Sequence, residues 1–357
     1  MISVVIPTWN AREIIHLPLA SLRRQTHDDF EIIVVDDAST DGTGDHVREH
    51  WPEVRLVRLD VNKGFPGAVN AGIFAARGHA IALLNNDAEA DEGWLSAMAA
   101  ALESSPRVGM VACRIRVYHH RHLLDSAGIF VTSFGSCGNL GAFTPDGPPY
   151  DRAMRMIGPN GAAGLYRRAL FEDVGVLDET LVAYYEDTDI ALRAQLRGWA
   201  CVYAPDAVCY HVGSVTNAAL DAPTLDRHSA AIAIDDARAP QPAKTSPRVM
   251  YYAARNYPIM LMKFVPLSML LADCWAIAGF ELNMLAFSIR NRLFRSFVRG
   301  RLALLPALPD ALRKRFTLAA SCRISAREVR ALFRRPSARE LFGIVLRRLR
   351  GGERPVG

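Results

Sequence analysis

Ile81-Ala82-Leu83-Leu84 runs without a break into Asn85-Asn86-Asp87. A short apolar run ending in a polar cluster reads as a buried strand of a parallel sheet, with the cluster at its carboxyl end. The same pattern occurs twice earlier. Ser3 to Pro7 leads into Thr8-Trp9-Asn10, and Phe30 to Val35 leads into Asp36-Asp37-Ala38-Ser39-Thr40-Asp41-Gly42. A helical stretch from about Ala11 to Gln25 separates the first two runs, with Ile14, Ile15, Leu17, Leu19 and Leu22 as its apolar positions. A second helix reaching about His50 leads to a further strand, Val54 to Leu59. This alternation predicts an α/β fold around a mostly parallel, doubly wound sheet. Ligands of such sheets bind outside the carboxyl ends of the strands. The turn after the first strand, Pro7-Thr8-Trp9-Asn10, contains no GxGxxG, which excludes a dinucleotide-binding turn.

Ile6-Pro7-Thr8-Trp9-Asn10, followed by Val34-Val35-Asp36-Asp37-Ala38-Ser39-Thr40-Asp41, resembles the opening of family 2 glycosyltransferases. Asn85-x-Asp87 resembles the Asp-x-Asp signature of their GT-A fold, with Asn85 in place of the first Asp. Asn62-Lys63-Gly64-Phe65-Pro66-Gly67-Ala68-Val69-Asn70-Ala71-Gly72 is similar to a segment of the rhamnosyltransferase-like branch, with Pro66 where that branch has Ala or Ser. The resemblance implies an enzyme that takes a nucleotide-diphosphate sugar, with dTDP-L-rhamnose favoured and UDP-sugars open. It places Pro7, Thr8 and Trp9 around base and ribose, and makes Asp37 the acceptor for the imide N–H of uracil or thymine. A carboxylate only accepts and the pyrimidine N3–H only donates, so the pairing is chemically sound. Asn62, Gly64, Phe65, Asn70 and Asn86 complete the expected donor side. Asp87 and His211 are the expected ligands of a divalent cation, Mn²⁺ or Mg²⁺, for which carboxylate oxygen and substrate phosphate are suitable partners.

The acceptor half is anchored by Gly158-Pro159-Asn160-Gly161-Ala162-Ala163-Gly164, whose small residues suggest backbone lying close to sugar or acceptor; Asn160 and Gly161 are the candidates there. Glu186-Asp187-Thr188-Asp189 then opens a helix that Gly198 stops. The resemblance places the base of an inverting transfer in the Glu186–Asp187 pair, and Asp187 is the choice. Such a base takes the acceptor hydroxyl proton as that oxygen attacks the sugar carbon. His119, His120 and His122 lack the spacing and the further ligands of a metal site, so a solvated loop is expected for them. Gly128 to Gly141 alternates like a hairpin.

Charge divides the chain. From Lys244 onward there are 22 Lys+Arg against 6 Asp+Glu, while the preceding residues carry 20 against 31. The expected organisation is a catalytic domain over 1–243, with a nucleotide half (1–105), an acceptor half (106–215) and a loop or linker (216–243), followed by a helical basic module (244–357). In that module Tyr251-Tyr252-Ala253-Ala254-Arg255-Asn256 resembles a post-catalytic segment of the rhamnosyltransferase-like enzymes. Ile259 to Ile289 is apolar but interrupted by Lys263, Pro266, Asp273 and Glu281, too broken to span a bilayer of roughly 20 residues' depth. An interfacial helix on an anionic membrane surface is expected, with a bundle or homodimer contact as the alternative. No nucleic-acid motif accompanies the basic residues, so nucleic acid is not an expected partner. Six cysteines without CxxC pairs read as free thiols of a reducing compartment, and Met1-Ile2-Ser3 enters a strand with no secretory signal. Together these point to peripheral attachment at the cytoplasmic face of the inner membrane and a glycan acceptor carried on a polyprenyl diphosphate. A soluble acceptor, or a non-catalytic scaffold that binds nucleotide sugar, is the alternative.

Overall fold

The computed structural model describes residues 1–213 and 246–335. The expected loop or linker over 216–243 and Arg347-Arg348 lie outside the described residues.

Four parallel strands carry the first half: β1 (Ile2–Thr8), β2 (Phe30–Asp36), β3 (Arg55–Arg58) and β4 (Ala80–Leu84). Side chains of a strand alternate between faces. Val4 and Ile6 of β1 therefore join Ile32 and Val34 of β2 in one core layer, and Val5 joins Ile33 and Val35 in the other. Helices α1 (His16–Leu22) and α4 (Trp94–Glu103) cover the first face; α3 (Gly64–Ala75) and α6 (Glu186–Leu196) cover the second. Helix α2 (Thr43–His50) joins β2 to β3, and α5 (Arg168–Val174) follows β11 (Ala163–Arg167).

The sheet order is β10-β12-β6-β11-β4-β1-β2-β3, with β5 on β12 and β7 on β6. These further strands are β5 (Ala88–Ala90), β6 (Val108–Val117), β7 (His120–Ser126), β10 (Met154–Met156) and β12 (Ala200–His211). The chain runs from β1 outward to β2 and β3, then returns to the other side of β1 as β4. That reversal creates a switch point between β1 and β4, the position at which open α/β sheets bind ligands.

The structure refines several sequence expectations. The first helix begins at His16 rather than Ala11, because residues 10–12 are tied instead to the loop after β2: Asn10, Ala11 and Arg12 donate their backbone N–H groups to Ser39, Thr43 and Asp41. The stretch expected as a histidine loop is strand β7, paired antiparallel with β6, and His120 is buried. The hairpin is present as β8 (Ile129–Thr132) against β9 (Cys137–Asn139). Strand β12 runs past Pro205 without a break, but its pairing slips between Ala204 and Val208, where proline has no N–H for the ladder.

Beyond the undescribed segment, α7 (Pro247–Phe264) starts at a Ser246 cap whose hydroxyl accepts the Val249 N–H. Pro258 sits inside this helix and cannot donate to the carbonyl four residues back. Arg301 donates to that Ala254 carbonyl instead, at 2.7 Å. Met250, Ala254, Tyr257, Met260, Leu261 and Phe264 of α7 share a core with Leu192 and Leu196 of α6. The apolar stretch after it is divided into α8 (Leu267–Ala272) and α9 (Cys274–Arg290), followed by α10 (Phe294–Leu304) and α11 (Leu308–Ser321).

Candidate active site

The polar ends of β1, β2 and β4 meet at the switch point. Thr8 lies opposite Asp36 across β1 and β2, and the Asn86 amide donates to the Thr8 hydroxyl at 3.2 Å. Asp37 is buried just beyond β2. Its backbone N–H donates to Thr8 O at 2.8 Å, and its Oδ1 accepts the Lys63 N–H at 2.7 Å. Burial pushes the Asp37 carboxyl above its ordinary pKa, against the opposing pull of the Lys63 and Gly64 N–H groups. Neighbouring Asp36 is structural: its Oδ1 accepts the Ser39 N–H and its Oδ2 faces Arg58 at 3.4 Å. Trp9 is half-buried beside this floor.

Helix α3 opens at Gly64, two residues after Asn62, so the Gly-Phe-Pro-Gly segment forms its first turn. Gly64 has φ +73°, and a β-carbon there would stand 2.9 Å from the Val182 carbonyl. Only glycine meets both conditions without strain. Asn62 closes the approach locally, donating to Asp37 O at 3.2 Å and accepting from Gly64 N–H at 3.2 Å.

Two expectations are corrected. Asn70 faces protein rather than the donor side. It is buried, donates to Leu177 O and Glu179 Oε1, and accepts the Leu177 N–H, clamping α3 to the turn before α6. Gly158 and Gly164 are small for packing reasons: β-carbons there would fall 2.3 Å from Ala191 and 2.5 Å from Pro159.

Asp87 and His211 come together although 124 positions separate them, because β5 pairs with the end of β12 and sets Ala88 opposite His211. His211 Nε2 stands 3.2 Å from Asp87 Oδ1, and Nδ1 stands 2.7 Å from Asp125 Oδ2. Burial alone would push the Asp87 carboxyl up, but the His211 ring outweighs it and holds the carboxyl below its usual range. Burial would likewise lower the His211 pKa, and the two flanking carboxylates raise it well above the ordinary value instead. Asp125 was missed from sequence. It is one carboxylate in a stretch without periodicity, and only the antiparallel pairing of β7 with β6 carries it to His211. Among the described residues there is no group of three or more His, Cys, Asp or Glu side chains placed to hold a metal. Any cation here would take Asp87 and His211 as its protein ligands, with the rest of its shell from elsewhere. A carboxylate and an imidazole fit that task, and a carboxylate on the far ring nitrogen is the usual means of orienting such a histidine.

The Glu186–Asp187 pair opens α6 without acting as a side-chain cap; the cap position is Tyr185, in left-handed backbone. Asp187 Oδ1 accepts the Thr188 N–H and hydroxyl at 2.6 and 3.2 Å, and Oδ2 accepts the Gly161 N–H at 3.1 Å. Glu186 Oε2 is buried with no hydrogen-bond partner among the described residues. Burial, reinforced by the adjacent Asp187 charge, pushes the Glu186 carboxyl up to about 8. Asp187 is also raised by burial, with its N–H partners pulling the other way. Asp187 has N–H and hydroxyl donors that favour its charged form, whereas Glu186 Oε2 has no such donor among the described residues. Asn160 accepts the Ala162 N–H and donates to Asn139, while the Asn85 N–H donates to Ala162 O. A β-carbon at Gly161 would lie 3.7 Å from Asp187 Oδ2 and 3.8 Å from Phe65, so the α3 and α6 openings converge on this glycine.

Residues 3–174 match the model of "Glycosyl transferase family 2". The chain carries a family 2 glycosyltransferase domain. Its relatives include the N-acetylglucosaminyl-diphospho-decaprenol L-rhamnosyltransferase of Mycobacterium tuberculosis, 29% identical over 238 residues, which span 59% of this chain and 76% of that protein. The O-antigen biosynthesis protein RfbC of Myxococcus xanthus is 26% identical over 235 residues, 63% of this chain but 18% of that much longer protein. Among solved structures, GalNAc-T7 with UDP, GalNAc and Mn²⁺ superposes with a TM-score of 0.52 at 18% identity, over 59% of this chain and 43% of that one. That likeness shows the GT-A fold of the transferase domain. Family membership supports an inverting transferase.

Proposed function

We propose that this family 2 transferase moves a sugar, L-rhamnose from dTDP-L-rhamnose, onto a hydroxyl of a glycan carried on a polyprenyl diphosphate. The observation that supports the reading is that the opening of α3 links two carboxylate stations: Asp37 at the switch point accepts the Lys63 N–H, and Phe65, two residues on, lies with Asp187 beside Gly161. The rhamnosyltransferase relative supports the choice of donor and acceptor.

Asp37 accepts the pyrimidine N3–H while Lys63 N–H holds its other contact. Pro7, Thr8 and Trp9 line base and ribose, and Asn86, held by Thr8, borders the sugar diphosphate. Asp87 and His211 would hold a divalent cation, with Asp125 fixing the ring. When bound, such a cation neutralises charge on the departing diphosphate. Asp187 takes the proton from the acceptor hydroxyl as that oxygen bonds to the anomeric carbon. The bond from that carbon to the diphosphate oxygen breaks, and the nucleoside diphosphate leaves with the electron pair. Attack opposite the leaving group inverts the anomeric centre. Asn160 and Gly161 border the acceptor, and the helix N-terminus helps keep Asp187 ionised.

Calorimetric titration with dTDP, UDP and their sugars, with Mn²⁺ or with chelator, tests the class. Metal-dependent binding of dTDP-L-rhamnose tighter than any UDP-sugar is the expected result. Tighter UDP-sugar binding replaces the donor, and no nucleotide binding under any condition overturns this reading of the donor site.

A lipid-linked acceptor requires the site to reach a membrane. No helix among the described residues is long and apolar enough to cross one. Helix α9 instead exposes Trp275, Leu282 and Ile289, one stripe at seven-residue spacing with Ala278 and Ala286 between them. Arg290, Arg292, Arg295 and Arg299 follow, all exposed, and Glu281 is the one acidic residue of α9 and α10, engaged by Arg301. An apolar stripe beside arginines suits an anionic bilayer surface. Leu282→Glu with Ile289→Glu is expected to lower binding to phosphatidylglycerol vesicles at least tenfold while leaving Tm unchanged. Unchanged vesicle binding, or a shift from dimer to monomer, would transfer this face to a second copy of the chain.

A further inference from the structure

We propose that α7 belongs to the catalytic apparatus and that Asn256 is a positioning residue for the Glu186–Asp187 pair; this rests on the reading of that pair as the proton-accepting station. The segment between the 3-10 turn (Glu179–Leu181) and α6 is costly to hold. Val182, Tyr184 and Tyr185 all have positive φ, at 63°, 64° and 74°. Bulky and β-branched residues avoid that region, so the surrounding structure must impose it.

The imposing group is Asn256. Its fully buried amide donates to the carbonyls of Leu181, Ala183 and Tyr184 at 2.9, 2.9 and 3.1 Å. Two N–H bonds thus serve three carbonyls of the strained segment. Arg255 donates to Asn256 Oδ1 at 2.8 Å, which fixes which end of the amide faces the loop, and also to Thr180 O at 2.8 Å.

Seven residues further along the same helix, the buried Lys263 ammonium joins Asp178 at 2.9 Å and Asp189 by a shorter contact. Asp178 precedes the segment and Asp189 lies in the first turn of α6. One helix therefore ties both ends of the segment through Lys263 and its middle through Asn256. Glu186 and Asp187 sit between the middle tie and the far end tie. They cannot shift toward or away from Gly161 while all three ties hold. A base displaced by an ångström from its acceptor loses rate, whereas a donor held at Asp37 does not notice.

Asn256→Ala, in the full chain, removes the amide and leaves room for water to solvate the freed carbonyls. Arg255→Ala is the milder second variant, its side chain being half-exposed. With dTDP-L-rhamnose as donor and N-acetylglucosaminyl-diphospho-decaprenol in micelles as acceptor, kcat is expected to fall roughly ten- to a hundredfold for Asn256→Ala. Arg255→Ala should fall less, and the calorimetric Kd for dTDP should stay within twofold for both. The acid limb of the kcat profile should move to lower pH as water reaches Asp187 and relieves the burial that raises its carboxyl, and amides 182–189 should exchange faster with deuterium while those of β1 and β4 keep their rates. Unchanged kcat and exchange, or donor affinity falling in step with Tm, overturns the proposal. Should Asp187→Asn retain turnover, the reading of the pair fails by itself, and the exchange of 182–189 still decides whether α7 braces the segment. If Asn256→Ala does not fold, the Arg255→Ala comparison decides by the same readouts.

Discussion

Asp187→Asn is expected to reduce transfer roughly a thousandfold, within the range that general acid–base groups contribute. The affinity for nucleotide should stay within twofold, because Asp37 and its Thr8 and Lys63 contacts are built on other elements. Asparagine keeps the shape and, through its single oxygen, either the Thr188 bonds or the Gly161 bond, with its amide nitrogen facing the other donor; it cannot take a proton. Steady-state kcat together with dTDP calorimetry separates the two effects; retained turnover would move the base elsewhere. The same pair predicts a pH dependence. Below about 8 Glu186 holds its proton, and activity should climb on the acid side as Asp187 ionises. The stability consequence has the opposite slope. A carboxyl raised in the folded chain binds more protons there than in the unfolded chain, so Glu186 subtracts stability as pH rises from about 4.5 to about 8.

Asp87→Asn is the second large effect. It replaces the charged oxygen that faces His211 Nε2 with a neutral amide. Metal-dependent binding of dTDP should weaken by more than the roughly 10- to 100-fold that outer-sphere losses cost at metal sites. Binding measured with chelator should not change, since Asp37 remains. Asp125→Asn should fall inside that outer-sphere range, because it keeps an acceptor for the ring N–H but loses its charge. Equal titrations for wild type and Asp87→Asn would remove the Asp87–His211 pair from cation binding.

Much of the first half is legible from residue order. Apolar runs ending in polar clusters mark β1, β2 and β4, and strand alternation dictates that their polar ends share one edge. Asp37, Asp87 and Glu186-Asp187 stand out by the order in which their motifs follow one another, since each alone also reads as a turn or a helix start. Asn70 was misread because it occupies the donor-side motif, while its side chain lies on the face of α3 that meets Leu177. Gly158 and Gly164 looked like room for a sugar and are room for Ala191 and Pro159.

Lys263 shows the limit most plainly. In sequence it is one of the residues that interrupt an apolar stretch. In the folded chain it is buried between Asp178 and Asp189, 85 and 74 positions away. Asp125 beside His211 and Asn256 beside the strained turn belong to the same class. Local sequence determined the strands, the sheet's ligand-bearing edge and the chemical types available there, because hydrophobic period and helix-end chemistry are short-range properties. Which carboxylate faces which partner, and that a helix from the basic second half holds the opening of α6, was decided only by tertiary packing. Those contacts depend on where the chain returns after scores of residues, and no local pattern encodes that distance.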